Sequence, residues 1–431
     1  MSEADYVAIG GFVALFVLLG LRVPIGIAMG LIGTCGFGLL TSPNAALSIL
    51  AQAPIATLTN YSLTLIPFFI VMGVFATNSG MSKEIFAAGQ AWFGSFRGGA
   101  ALSTIGACAG FAAISGSSVA TAATMSKVAL PEMRRFDYPD RVSSGVVAAG
   151  GTLGILIPPS AVLAVYGFIT EQDIGKLFIA GIVPGLLAVV MYMATVRIYY
   201  GRSLPKGDPF DLRRALASLR GIWAVFLLFL AVMGSIYLGI ASPTDAAGIG
   251  AVLTAIIGLA RRRLRLSTVF SSVVEALYTS AAIYSVLIGA MLFSYFLAIT
   301  QTPQKITGIL IGFDVGAYGT LALILCFFLL MGAIFDAMAM VILLVPIVFP
   351  VIVQLGFDPL WFGVIVVMTV ELALITPPIG MNVFVLNSVN RDIGLPTIFK
   401  GVLPFVITDL LRLILMIVLP ALVLFLPGTI K

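Results

Sequence analysis

Two Pro-Pro pairs stand in the middle of long apolar stretches, Pro158-Pro159 in ILIPPS and Pro377-Pro378 in LITPPI. Proline has no amide donor and its ring clashes with the preceding turn, so a pair of prolines unwinds a helix. Unwound backbone at membrane depth persists where it is buried in protein or lines a polar cavity, and its freed carbonyls suit a hard cation such as Na⁺. Small residues precede each pair, Gly150-Gly151-Thr152-Leu153-Gly154 in one case and Leu372-Ala373 in the other. A hydroxyl-rich cluster, Ser115-Gly116-Ser117-Ser118-Val119-Ala120-Thr121, interrupts another apolar stretch. Half-helix N-termini there would aim partial positive charge at a carboxylate. Asp336 and Glu371 lie in apolar segments and are functional candidates on that ground. Asp409 and Arg412, spaced i, i+3, read as a structural pair, and Asp245, after a proline, as a helix cap near the outer surface.

The elements that must position these residues are membrane spans. Of 431 residues, 60% are hydrophobic and 10% charged, against about 45–50% and about 25% in soluble domains. A soluble enzyme is excluded. With no histidine in the chain, His-ligated metal sites, Ser-His triads and histidine proton relays are excluded too. Cys35, Cys108 and Cys326 stand singly in apolar surroundings and read as buried small hydrophobes. The net charge of +5 fits basic loops facing anionic lipid, not a nucleic-acid partner.

At about 20 apolar residues per crossing, ten crossings are expected, at 6–21, 23–40, 58–78, 142–170, 177–199, 221–241, 245–260, 270–299, 361–388 and 402–427. The stretches 100–131 and 316–350 are too long for one span and broken near their middles, and read as re-entrant hairpins. Segment 82–98 mixes charged and aromatic residues as an interfacial helix does. With the acidic N-terminus outside, most Lys and Arg fall inside, including Arg197–Arg220 of the central loop and the run Arg261–Arg265, while Lys176, Lys305 and Lys431 fall outside. Both termini are therefore expected outside.

The two halves repeat at an offset of about 219 residues: Pro24 and Pro243, Pro131 and Pro350, Pro158-Pro159 and Pro377-Pro378, Asp173-Ile174-Gly175 and Asp392-Ile393-Gly394. With one inserted residue, Gly181–Pro184 then matches Gly401–Pro404. Five crossings plus one hairpin per copy is an odd number, so the second copy must be inverted, a construction that gives secondary transporters two opposite-facing states. The expected fold is an all-α polytopic membrane protein of two inverted-topology repeats with elevator-type architecture. The first repeat takes 1–200, a cytoplasmic basic linker 201–220 and the second repeat 221–431.

The stretches Gly116–Met133, Gly150–Ser160, Ser242–Ala247 and Leu374–Val383 together resemble the large membrane subunit of tripartite ATP-independent periplasmic (TRAP) transporters. The likeness runs the length of the chain, with Asp245 where that family usually has Glu. It implies a Na⁺-driven elevator in the bacterial inner membrane, importing an organic acid delivered by a periplasmic binding protein and braced by a small four-helix membrane subunit. It also implies a first Na⁺ site at Ser115, Ser117, Gly154, Ile157 and Pro159, and a second at Asp336, Ala373, Thr376 and Pro378. Substrate is placed between the hairpin tips, at Ser117, Ser118 and Asp336. Two or more coupling Na⁺ ions and no organic cofactor are implied, with membrane lipid as the surrounding partner.

The nearest rival is a stand-alone Na⁺- or H⁺-coupled dicarboxylate carrier, for which Asp336 and Glu371 are the candidate titrating groups. An ATP-driven permease leaves the inverted repeat unexplained, and an intramembrane enzyme finds no Ser/Lys or paired-Asp arrangement.

Overall fold

The computed structural model describes residues 2–201, 204, 205, 207 and 209–429, and every regular element among them is helical. Arg202 and Lys206 of the basic loop and the C-terminal Lys431 lie outside the described residues. The first half runs α1 (Glu3–Gly20), α2 (Ile25–Leu40), α3 (Pro43–Leu58), α4 (Leu65–Asn78), α5 (Met81–Phe93), α6 (Gly99–Ser115), α7 (Ser118–Arg135), α8 (Asp140–Thr152), α9 (Ala161–Thr170) and α10 (Ile174–Thr195). The second runs α11 (Leu212–Phe229), α12 (Ser235–Tyr237), α13 (Pro243–Ala260), α14 (Leu266–Ile299), α15 (Thr302–Gly312), α16 (Gly316–Met331), α17 (Ala337–Gln354), α18 (Pro359–Ala373), α19 (Met381–Val389), α20 (Leu395–Val418) and α21 (Ala421–Leu424). Eight helical stretches among the described residues are long and apolar enough to cross a membrane.

Both long interrupted segments fold as two helical limbs in contact, α6 with α7 and α16 with α17. The expected broken spans are two-part elements: α8 and α9 separated by residues 153–160, and α18 and α19 separated by 374–380. Each hairpin's second limb packs on the leading half of its own broken helix and the trailing half of the other: α7 on α8 and α19, α17 on α18 and α9. Around this body stand α1, α2, α4, α13 and α14, and α5 links it to the periphery, lying on both α6 and α11.

Two helices lie outside the expected spans. α3 begins at Ser42, whose hydroxyl accepts from Ala45 N at 3.2 Å, with Pro43 in the first turn. Its Asn44, Ser48, Gln52 and Pro54 dilute the apolar signal, but Pro at the first helical position is itself a helix-start signal. α15 is a short helix between the long α14 and the second hairpin. The cysteine expectation fails in two of three cases, because Cys108 is buried while Cys35 and Cys326 are exposed. An apolar neighbourhood in sequence marks lipid-facing surface as well as core when the surrounding medium is hydrocarbon.

α2 and α14 form the tightest seam in the periphery. A Cβ added to Gly289 would sit 2.0 Å from the Gly26 carbonyl oxygen, and one on Gly33 2.5 Å from the Leu292 carbonyl carbon. Small residues let two backbones approach this closely without a hydrophobic drive between helices. Gly289→Ala is expected to destabilise the protein by about 1–3 kcal/mol, read as a lowered melting temperature in detergent. Gly10→Ala, a helical position with nothing within 4 Å of the added carbon, is expected to cause no loss.

Candidate functional site

The Pro-Pro pairs remove four amide donors, and a helix would have aimed them at the carbonyls four residues earlier. Those carbonyls belong to Gly154 and Ile155 in the first half and to Ala373 and Leu374 in the second. Ile155 is compensated by the Ser160 hydroxyl, which donates to its oxygen, and Leu374 by the amide of Asn382 at 3.1 Å. Gly154 keeps no helical donor, and Ala373 receives a long bond from Thr376 N at 3.3 Å. Both pairs are cis.

The first hairpin tip closes directly over this break. Gly116 turns the chain with φ +59°, and a Cβ there would lie 2.7 Å from the Pro159 carbonyl oxygen. A Cβ on Gly154 would lie 2.4 Å from the Ser117 carbonyl oxygen and 2.8 Å from Thr121 Oγ1. Ser117 caps α7, its hydroxyl accepting from Ala120 N at 3.3 Å, while its carbonyl accepts from Thr121 Oγ1 at 2.7 Å. Ser115 Oγ lies 2.9 Å from Thr121 Oγ1. Ser115, Ser117, Gly154 and Pro159 therefore converge, whereas the Ile157 side chain faces α10 beside Gly185.

At the second tip, Asp336 caps α17 and accepts from Ala339 N at 3.0 Å, the capping geometry of Ser117 with a carboxylate in place of a hydroxyl. Gly332 abuts Ala373, an added Cβ lying 2.3 Å from the Ala373 Cβ. The Thr376 hydroxyl donates to the Leu372 carbonyl at 2.6 Å. The two breaks differ in access: Pro158 and Pro159 are buried, whereas Asp336, Pro377, Pro378 and Ile379 are exposed. Ser118, a candidate substrate residue, is buried with its hydroxyl donating to Asn382 Oδ1 at 2.8 Å. Asn382 also donates to the Ala148 carbonyl at 3.2 Å, joining α7, α8 and α19.

Asp409 and Arg412 do pair, at 2.9 Å, and Arg412 also holds Glu371 at 2.5 Å, with all three side chains at most 1% exposed. Thr152 donates to Glu371 at 2.8 Å and Tyr192 to Asp409 at 2.6 Å. Glu371 is thus ion-paired in the core. Asp245 sits in the first turn of α13, where the actual cap is Ser242, whose hydroxyl accepts from Asp245 N at 3.2 Å. At the far end of the first hairpin, Arg134 bridges Asp140 at 2.8 Å and Asp392 at 2.5 Å. The guanidinium holds the exposed Asp392 carboxyl below its ordinary range.

Apolar helices at membrane-spanning length, two hairpins and two unwound helices define a polytopic membrane protein. Residues 12–422 match the family described as tripartite ATP-independent periplasmic transporter, DctM component. The C4-dicarboxylate TRAP transporter large permease protein DctM of Pseudomonas aeruginosa is 38% identical over 395 residues, 90% of this chain and 91% of its own. The isethionate TRAP transporter permease protein DctMQ of Oleidesulfovibrio alaskensis is 33% identical over 99% of this chain and 67% of its own. Among solved structures, the YdaH transporter of Alcanivorax borkumensis shares the fold with a TM-score of 0.64 at 17% identity, covering 88% of this chain and 89% of its own. The chain belongs to the DctM-component family of TRAP transporters, whose members named above are permeases.

Gly154→Ala, which must push the hairpin tip off the break, is expected to lower transport about tenfold or more at equal membrane abundance. Arg412→Met leaves two carboxylates buried without a counter-charge, and its expected cost is about 3–5 kcal/mol, measured as loss of monodisperse protein and a lowered melting temperature.

Proposed function

We propose that this permease imports an organic acid across the bacterial inner membrane on a Na⁺ gradient, by an elevator movement, taking substrate from a periplasmic binding protein. The observation that carries this reading is the closure of the first hairpin tip on Gly154, a residue whose carbonyl has lost its helical donor to Pro158. A main-chain oxygen that has lost its helical donor beside other carbonyl and hydroxyl oxygens suits a desolvated hard cation. Ser115, Ser117, Gly154, Ile157 and Pro159 would form one Na⁺ site, and Asp336, Ala373, Thr376 and Pro378 its counterpart. Ser117, Ser118 and Asp336 would meet substrate, with Ser118 releasing Asn382 to do so. Relatives named for C4-dicarboxylate, isethionate and sialic acid support an organic acid as cargo.

The crossed packing of hairpins and broken helices supports two inverted repeats, 1–200 and 221–431, joined by the linker 201–220. Hairpins and broken helices would slide as one body against the peripheral helices, with both termini periplasmic. Each ion moving down 100 mV contributes about 2.3 kcal/mol, so two ions drive accumulation without ATP. A small four-helix membrane subunit would brace the periphery, where lipid covers the remaining apolar surface.

The test is uptake into proteoliposomes holding this chain and its small subunit, with and without an inward Na⁺ gradient and the co-encoded binding protein. The expected result is uptake that requires both. Uptake requiring Na⁺ alone would make the chain a stand-alone carrier, and uptake indifferent to Na⁺ would end the ion-site reading.

A further inference from the structure

Thr152 closes α8 two residues before Gly154, and Glu371 lies two residues before Ala373 in α18. The offset of 219 residues that relates Gly154 to Ala373 also relates Thr152 to Glu371. These equivalent positions touch, Thr152 Oγ1 lying 2.8 Å from Glu371 Oε1 and 2.7 Å from the Ala149 carbonyl, the two acceptors that share its proton. The contact belongs to a ring of close polar contacts: Arg412 Nη2 donates to Glu371 Oε2 at 2.5 Å and lies 2.9 Å from Asp409 Oδ1. Tyr192 then donates to Asp409 Oδ2 at 2.6 Å and its oxygen lies 3.2 Å from Thr152 Oγ1. The five side chains come from α8, α10, α18 and α20, two helices from each half, and none is more than 1% exposed.

Resting on the proposed pair of cation sites, we infer that this ring couples them, with Thr152 and Glu371 as positioning residues that transmit the state of one broken helix to the other. The two donor-poor carbonyls stand at the same short remove from the two ends of one hydrogen bond. A cation drawing in the Gly154 carbonyl shifts the single tight turn Leu153–Ile155 and with it the end of α8 that carries Thr152. The Glu371 carboxylate cannot simply turn aside, because Arg412 holds its other oxygen, Asp409 pairs with Arg412 and Tyr192 holds Asp409. The displacement therefore enters the end of α18, where Ala373 waits for the second ion. Such coupling is reciprocal, each ion raising the affinity for the other by the same factor. Full burial separates the ring from substrate and from both aqueous phases, so it positions the sites without binding what is carried.

The experiment is the Na⁺ dependence of uptake in the same proteoliposomes for wild type, Thr152→Val, Thr152→Ala and Thr152→Ser. Valine keeps the branching and removes the hydroxyl, alanine removes both, and serine restores the donor. Wild type and Thr152→Ser are expected to give sigmoid curves. Thr152→Val and Thr152→Ala are expected to give less steep curves, reduced to the form of two independent sites that must both be filled, with half-saturation raised by about fivefold or more. Loss of packing alone lowers the amount of folded protein and the maximal rate without changing the curve's shape. Sigmoid curves unchanged in whichever hydroxyl-free variant folds would overturn the inference while leaving the two sites intact. Wild-type uptake that ignores Na⁺ would remove the sites themselves, and the coupling with them.

Discussion

The constraint on which the rest of this structure depends is the absence of four amide donors, at Pro158, Pro159, Pro377 and Pro378. In hydrocarbon an unpartnered carbonyl costs several kcal/mol, so the fold must bring something to each break. To Ile155 it brings the Ser160 hydroxyl and to Leu374 the Asn382 amide. To the first break it also brings the tip of a hairpin, which packs so closely that Gly116 and Gly154 leave no room for a side chain. With α7 packed across it the first break is buried, whereas residues 377–379 of the second stay exposed.

The second organising feature is charge. Asp409, Arg412 and Glu371 sit without exposure in the middle of the helical body. Their mutual bonds make the cluster tolerable, since removing one member of a buried ion pair is far more costly than the pair itself. By drawing Thr152 and Tyr192 into the same network, the cluster also joins the halves of the chain at the level of the breaks. The two breaks then differ in surroundings: the first is buried and lined by hydroxyls, the second is exposed and carries the carboxylate of Asp336.

Much of the site was legible in the sequence because it rests on residues with strong local consequences. Pro-Pro pairs announce an unwound helix wherever they occur, and Ser115-Gly116-Ser117 carries both a left-handed turn and an N-cap. The i, i+3 spacing of Asp409 and Arg412 announced their pairing. What stayed hidden was tertiary partnership. Nothing local to Glu371 points to Arg412, 41 residues away, and Thr152, Tyr192 and Asn382 are ordinary helix residues until the fold brings them together. A retrospective signal existed for one of them, since the repeat offset maps Glu371 onto Thr152 and equivalent positions near a repeat axis can meet. The helix α3 and the exposure of Cys35 and Cys326 were missed because hydropathy cannot separate core, lipid face and polar-diluted helix.

The central claim is that carbonyls released by the Pro-Pro pairs hold Na⁺. It is tested most directly by the melting temperature of the purified protein in detergent with NaCl, KCl or choline chloride at equal ionic strength, for wild type and for Pro159→Ala and Pro378→Ala. A ligand that binds only the folded state raises stability by about 2.7 kcal/mol at a hundred times its Kd. The account predicts a rise with Na⁺ alone in the wild type and a smaller rise in each proline variant. An equal shift with K⁺ or choline, or a Na⁺ shift untouched by both substitutions, would contradict it.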